Sequence, residues 1–136
     1  MAAIGSVLGG GGVKVAEVTI PTAEVLTLNG TPVVVVPAPG VGRANIVLLA
    51  IASVAYVSAA YATNTSLTIG HAGVGITITG ILAATSSKIA AGAGTFAAVA
   101  TTAAQNAAIT VSVASGNPAT GDSPVTITVL YTTVNL

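Results

Sequence analysis

An alternation of apolar and hydroxyl-bearing residues recurs along the chain and predicts β-strands. It is clearest in residues 76–79, 109–113 and 125–134. A period of two is typical of a strand that buries one face and exposes the other. The last of these segments places four side chains on one face: Val125, Ile127, Val129 and Tyr131.

Further strands are predicted where β-branched residues cluster between turn signals. These segments are residues 13–20, 24–28, 31–36, 46–57 and 67–69. The dipeptide Asn29-Gly30 favours a tight hairpin turn between two of them, because it readily adopts positive φ angles. The long apolar run 46–57 fits a strand that is buried on both faces.

Two stretches give a weaker pattern. Residues 70–75 are glycine-rich and predict a turn, which would leave His71 exposed in a loop. Residues 81–107 are rich in Ala, Gly, Thr and Ser. Because alanine favours the helix, a short helix is predicted around residues 97–104.

Together these elements predict an all-β fold, a single-domain antiparallel β-sandwich or barrel that comprises residues 13–136. Residues 1–12 are small and apolar and end in a run of four glycines. They predict a flexible N-terminal arm. This segment lacks the positive charge with which a secretory signal peptide begins.

Charge is scarce and bears directly on function. The 136 residues include three Lys or Arg and three Asp or Glu, and the formal net charge is zero. Nucleic acids and anionic membranes are bound by clustered basic residues, so neither is an expected partner. A surface with so few charges tends to associate, which indicates that protein neighbours cover part of it.

Residues 44–62 leave a second interpretation open. These nineteen uncharged residues have the length of a transmembrane helix. Polar residues and many alanines interrupt them, Arg43 is the only flanking charge, and no aromatic residues mark two membrane interfaces. A buried strand pair that bends near residues 58–61 is therefore preferred.

The chain offers little for catalysis, and no enzyme activity is expected. It has one His, no Cys and three acids, none of which has a partner acid at a catalytic spacing in sequence, whereas catalytic and metal sites need several converging groups. The glycine-rich segments 9–12 and 70–75 lack the context of a phosphate-binding loop between a strand and a helix. No catalytic residue, metal ligand or cofactor is predicted.

Candidate contacts to a protein partner can still be named. Glu17 and Glu24 are predicted at sheet edges, where a charge discourages unwanted strand pairing or meets a partner. Arg43 follows a Pro-Gly turn, where it would anchor on a neighbour's carboxylate or simply be solvated. In the arm, Val7 and Leu8 are the candidate contacts.

Several blocks of the sequence resemble a known family. They are residues 15–33, 59–65 and 114–122, and a C-terminal strand that ends near Tyr131. In the same order, these blocks are similar to those of the capsid decoration, or cement, proteins of tailed bacteriophages. The middle of the chain departs from that family, because residues 67–107 carry Lys88 as their only charge where the relatives carry several.

The resemblance implies a jelly-roll-like β-sandwich and a structural virion protein on the outer surface of the phage head. Such a protein is made in the host cytoplasm, associates with itself as a homotrimer or homodimer, and stabilises contacts between major capsid proteins. Shell symmetry repeats its contacts, so modest individual affinities suffice. A tail-tube or fibre subunit, a glycan-binding β-sandwich and a single-pass membrane protein are the alternatives.

Overall fold

The computed structural model describes residues 12–71, 74–94 and 98–136. Within these ranges the chain forms ten strands: β1 Lys14–Ile20, β2 Val33–Val36, β3 Arg43–Val54, β4 Tyr61–Ala62, β5 Leu67–His71, β6 Val74–Ile78, β7 Lys88–Ala93, β8 Ile109–Ser112, β9 Ala119–Thr120 and β10 Val125–Asn135. The strands are joined by two short helices, α1 Thr22–Val25 and α2 Thr101–Ala104, and by a 3₁₀ turn at Ile81–Ala83. The predicted arm, residues 1–12, lies outside the described residues except for Gly12.

Eight of these strands form two four-stranded antiparallel sheets. Sheet A has the strand order β1-β10-β3-β7, and sheet B has the order β2-β8-β5-β6. The two-residue strands β4 and β9 pair separately. Most strands that pair are distant in sequence. The exception among the described strands is β5 with β6, which follow each other along the chain. The predicted all-β antiparallel sandwich is confirmed.

The two sheets pack through aliphatic side chains on their inner faces. In β10, which is central in sheet A, Val125, Ile127 and Val129 are buried, as their alternation predicts. In sheet B, Ile69 and Val111 are buried in the same cluster. Each such side chain contributes roughly 1.5–3 kcal/mol when it is removed from water.

A β-bulge in β3 keeps the inner face of sheet A in register. Leu130 pairs with Leu49 but Tyr131 pairs with Val47, so Leu48 is the extra residue. Tyr131 therefore stays on the inner face of β10, whereas Leu48 is exposed. Because Leu48 and Ile51 are at least partly exposed, the prediction that this segment is buried on both faces is wrong.

Two predictions near the N-terminus are wrong for a local reason. Residues 24–28 are not a strand, because the N–H groups of Glu24 and Val25 both donate to the Pro21 carbonyl and start helix α1. The turn at Asn29 therefore joins no hairpin. The Asn29 N–H donates to Asn117 Oδ1 at 2.8 Å instead.

Predictions for two further segments need correction. Strand β3 does not pair with β4, which pairs with β9, so no strand pair forms within residues 44–62. No helix in the described ranges is long and apolar enough to cross a membrane.

The helix predicted over residues 97–104 forms only over α2, and residues 98–100 are not helical. Strand β7 was not predicted, because its alternating Ala and Gly show little hydrophobic contrast.

Gly92 allows the two sheets to approach each other along one edge of the sandwich. It lies on edge strand β7 and pairs with the buried Ala50. A Cβ atom at position 92 would lie far inside van der Waals contact with Ile76 Cγ2 on β6, the edge strand of sheet B. A side chain here would therefore push the two edge strands apart.

We expect Gly92→Ala to lower the free energy of unfolding by about 1–3 kcal/mol, which is typical of overpacking. Ile76→Ala removes the methyl group that the new Cβ would meet, and truncation alone costs about 2–5 kcal/mol. The double variant should lose less than the sum of the single losses, by about 1 kcal/mol or more. Chemical denaturation of the four proteins measures this coupling.

Gly30→Ala is the control, because nothing lies within 4 Å of a Cβ at that position. Strict additivity of the Gly92 and Ile76 substitutions would contradict the proposed steric contact.

Candidate interaction surface

A chain of buried polar groups lies at one end of the sandwich. Asn45 on β3 and Thr133 on β10 are 1% and 3% exposed and are partners in the sheet register. The Thr133 hydroxyl donates to Asn45 Oδ1 at 2.9 Å, and Asn45 Nδ2 donates to the Pro37 carbonyl at 3.2 Å. These bonds fix the orientation of the Asn45 amide, since a buried polar group without a partner costs about 1–3 kcal/mol.

His71 belongs to this buried network. It is the last residue of β5 and is 9% exposed, so the prediction of an exposed loop histidine is wrong. Its Nε2 lies 2.8 Å from the backbone oxygen of Asn45. A carbonyl oxygen only accepts, so Nε2 carries the hydrogen and donates it. The bond joins sheet B to sheet A.

A small open pocket lies beside the network and has a volume of about 150 Å³. Its lining includes Lys14, Arg43, Tyr131, Asn45 and Thr133. Lys14 Nζ donates to Thr133 Oγ1 at 3.3 Å and lies 5.9 Å from the centre of the Tyr131 ring, within cation–π range. Two of the three basic residues of the chain therefore converge here.

The two glutamates predicted as contacts lie outside this pocket. Glu17 is exposed on β1, which is an edge strand of sheet A, and its carboxylate accepts a hydrogen bond from Thr128 Oγ1 at 3.2 Å. Glu17 and Lys14 lie on opposite faces of β1, as strand alternation predicts. Glu24 is exposed in helix α1, so its assignment to a sheet edge is wrong.

The prediction that Arg43 lies in a loop is wrong, whereas its predicted contact with a neighbour's carboxylate stays a prediction. It is the first residue of β3 and is partly buried where it lines the pocket. The sequence did not predict its proximity to Lys14, because that depends on both β1 and β3 pairing with β10. The other two candidate contacts, Val7 and Leu8, lie outside the described residues.

The outer face of sheet A presents three rows of side chains that cross the sheet. In strand order β1, β10, β3 and β7 the rows are Val15, Leu130, Leu49 and Ala93; Glu17, Thr128, Ile51 and Ala91; and Thr19, Thr126, Ser53 and Ile89. Glu17 is the single charge among these twelve residues. Ile89 is 73% exposed and Val15 is 66% exposed. Exposed apolar patches of this kind mark protein interfaces.

The outer face of sheet B has a different character. Strands β8, β5 and β6 present Ser112, Thr68 and Thr77 there, which are neighbours in the strand register. Its exposed large apolar residue is Val34 on edge strand β2. Hydroxyl groups thus cover the outside of sheet B, whereas apolar side chains are concentrated outside sheet A.

At the opposite end of the sandwich, Asp122 holds two loops together. Its carboxylate accepts hydrogen bonds from the N–H groups of Ser58 and Ala59 at 3.1 and 2.9 Å, and from the Ser58 hydroxyl. The Ser58 hydroxyl is the main cause, and the two backbone N–H groups the next, of a pKa of Asp122 below its ordinary value. Asp122 therefore has a structural role.

Tyr61 is buried next to these loops. Its hydroxyl donates to the Ser123 carbonyl at 2.8 Å, and burial raises the pKa of the phenol. Gly121 has a φ of +78°, and a Cβ there would overlap the Tyr61 ring. Tyr61 and Asp122 belong to two of the sequence blocks that carry the family resemblance, residues 59–65 and 114–122. The third block, residues 15–33, is joined to the second of these by the hydrogen bond from Asn29 to Asn117. At this end of the sandwich the blocks meet and hold loops together.

Asp122→Asn should destabilise the protein at neutral pH and have little effect in acid. The folded state lowers the pKa of the carboxyl group, so ionised Asp122 stabilises the fold. This contribution is complete above the ordinary pKa of about 3.9 and is lost as the pH falls through the lower folded value. Thermal unfolding of both proteins between about pH 7 and about pH 2 measures the difference.

Glu24→Gln removes the same charge at an exposed position on α1 and serves as the control. A melting-temperature difference between wild type and Asp122→Asn that is independent of pH would contradict the role of the ionised carboxylate.

Comparison with known proteins adds one informative likeness. No protein-family model and no curated protein matches this sequence. Among solved structures, a chain of the cyanophage Pam1 capsid asymmetric unit matches with a TM-score of 0.59 and 24% sequence identity. The match covers 91% of this chain and 86% of that chain. The two chains therefore share a fold over most of their lengths.

Proposed function

We propose that this protein is a non-catalytic structural component of a phage virion. In this proposal it is a decoration subunit that binds the outside of the head and stabilises contacts between major capsid proteins. The observation that carries the proposal is the outer face of sheet A, where Ile89 and Val15 are largely exposed and Glu17 is the single charge of the three rows.

A flat protein surface is the occupant that fits this face best. Burying apolar area contributes roughly 25 cal/mol per Å², and the sheet offers rows rather than a cleft for a small ligand. The one charge, Glu17, is negative and would repel phosphates. Sugars stack on aromatic rings, but Tyr61 is buried and the three rows contain no aromatic residue.

The fold supports the same proposal. Eight strands in two four-stranded sheets, with successive strands placed mostly in alternate sheets, agree with the jelly roll that occurs in viral capsid proteins. The similar solved chain comes from a phage capsid asymmetric unit. Such shells repeat each contact many times, so a modest affinity per subunit is enough. Self-association as a trimer or dimer, and contacts by residues 1–12, are further parts of the proposal.

Ile89→Glu should weaken binding to phage heads about tenfold or more, because it places a charge in an apolar interface. Ile89 is 73% exposed, so the fold should be unaffected. Heads of the parent phage prepared without this protein are the binding target, and co-sedimentation measures occupancy. Val34→Glu, at a position 53% exposed on β2, is the matched control and should bind like wild type.

Equal loss of binding by both variants, or by neither, would contradict the assignment of the interface to sheet A. Negative-stain images of the purified protein provide an independent check. Tubes or filaments would favour the tail-tube alternative, whereas discrete oligomers agree with a decoration subunit.

A further inference from the structure

We propose that the pocket lined by Lys14, Arg43 and Tyr131 binds the carboxylate of an Asp or Glu side chain from a neighbouring capsid protein. This inference rests on the proposed function, because the shell supplies the acid. It adds a polar, directional contact at the end of the sandwich to the apolar contact of sheet A.

No Asp or Glu side chain of this protein balances the two positive charges of the pocket. Within the described ranges, which include every Asp and Glu of the sequence, no Asp or Glu side chain pairs with Lys14 or Arg43. Asp122 is engaged at the opposite end of the sandwich. Glu17 lies on the outer face of sheet A, and Glu24 is exposed on α1. An acid from another chain is therefore the natural counter-charge.

The buried network holds the Lys14 ammonium in place. Thr133 donates its hydrogen to Asn45 Oδ1, so its oxygen lone pairs are left to accept from Lys14 Nζ. An ammonium group has three N–H donors, and those that do not bond to Thr133 are available to a ligand. Because Lys14 is already positioned, less conformational entropy is lost when a ligand binds.

Arg43 supplies the second half of the site. A guanidinium group presents a planar set of N–H donors that matches both oxygens of a carboxylate. Arg43 and Lys14 are both partly buried, and reduced contact with water strengthens their attraction to an anion.

The size of the pocket limits what can bind. Its volume of about 150 Å³ is smaller than the roughly 300–1,000 Å³ of pockets that enclose drug-sized ligands. A nucleotide or a sugar chain would not fit, whereas the end of an acidic side chain would. The chemistry and the volume together favour Asp or Glu.

The first test measures carboxylate binding directly. N-acetyl-glutamate amide is titrated into the full-length protein and backbone amide NMR shifts are followed, with N-acetyl-glutamine amide as the neutral probe. The acidic probe should shift the signals of residues 14, 43 and 133 and the neutral probe should not. Lys14→Gln and Arg43→Gln should each weaken binding about tenfold. Lys88→Gln removes the same charge on exposed β7 and should leave binding unchanged.

Equal responses to the two probes, or no loss in either pocket variant, would overturn the proposal. Lys14→Arg retains the charge and should bind the acidic probe more tightly than Lys14→Gln, which separates lost binding from a disturbed fold. Melting temperatures of all the variants provide a second check on folding.

The second test uses phage heads prepared without the protein. Arg43→Gln should reduce head binding about tenfold relative to wild type and to Lys88→Gln. If wild type itself does not bind, the proposed function fails. If Arg43→Gln binds like wild type while Ile89→Glu does not, the pocket proposal fails and the function stands. If Arg43→Gln alters self-association and leaves head binding intact, the acid comes from a second copy and the proposal is overturned.

Discussion

The packing of two sheets through small aliphatic side chains is the interaction on which the rest of this structure depends. The chain has no cysteine for a disulfide, and Ala50 and Ala52 are fully buried beside Val and Ile residues. Small side chains allow the sheets to approach closely. That closeness explains why Gly92 faces Ile76 with no room for a side chain. Because the interior is filled by this packing, the outer sheet faces and the two ends of the sandwich are the surfaces available for binding.

The two ends are built for different tasks. At one end Asp122, Ser58 and Tyr61 connect loops to one another through hydrogen bonds, so these polar groups are satisfied within the chain. At the other end Asn45 and Thr133 are satisfied internally, but Lys14 and Arg43 line an open pocket. The blocks that carry the family resemblance meet at the end that contains Asp122 and Tyr61, where they maintain the fold. In the proposed function, partner contacts are made by residues outside those blocks or on other faces of them.

Local pattern predicted much of the fold but little of the candidate site. Alternation of apolar and hydroxyl residues identified β6, β8 and β10 because these strands bury one face. It missed β7, whose Ala and Gly residues give almost no contrast, and it misread residues 24–28, where the Pro21 carbonyl starts a helix. The convergence of Lys14 with Arg43 depends on pairing between strands that are far apart in sequence, which no local spacing reveals.

In the proposed function, the outer face of sheet A contacts the shell of a phage head. A cryo-EM reconstruction of the virion that contains this protein tests it most directly. We expect the chain to lie on the outside of the head and major capsid protein to cover the side chains around Ile51 and Ile89. A reconstruction in which this face is open to solvent, or in which the chain lies in the tail, would contradict the proposed function.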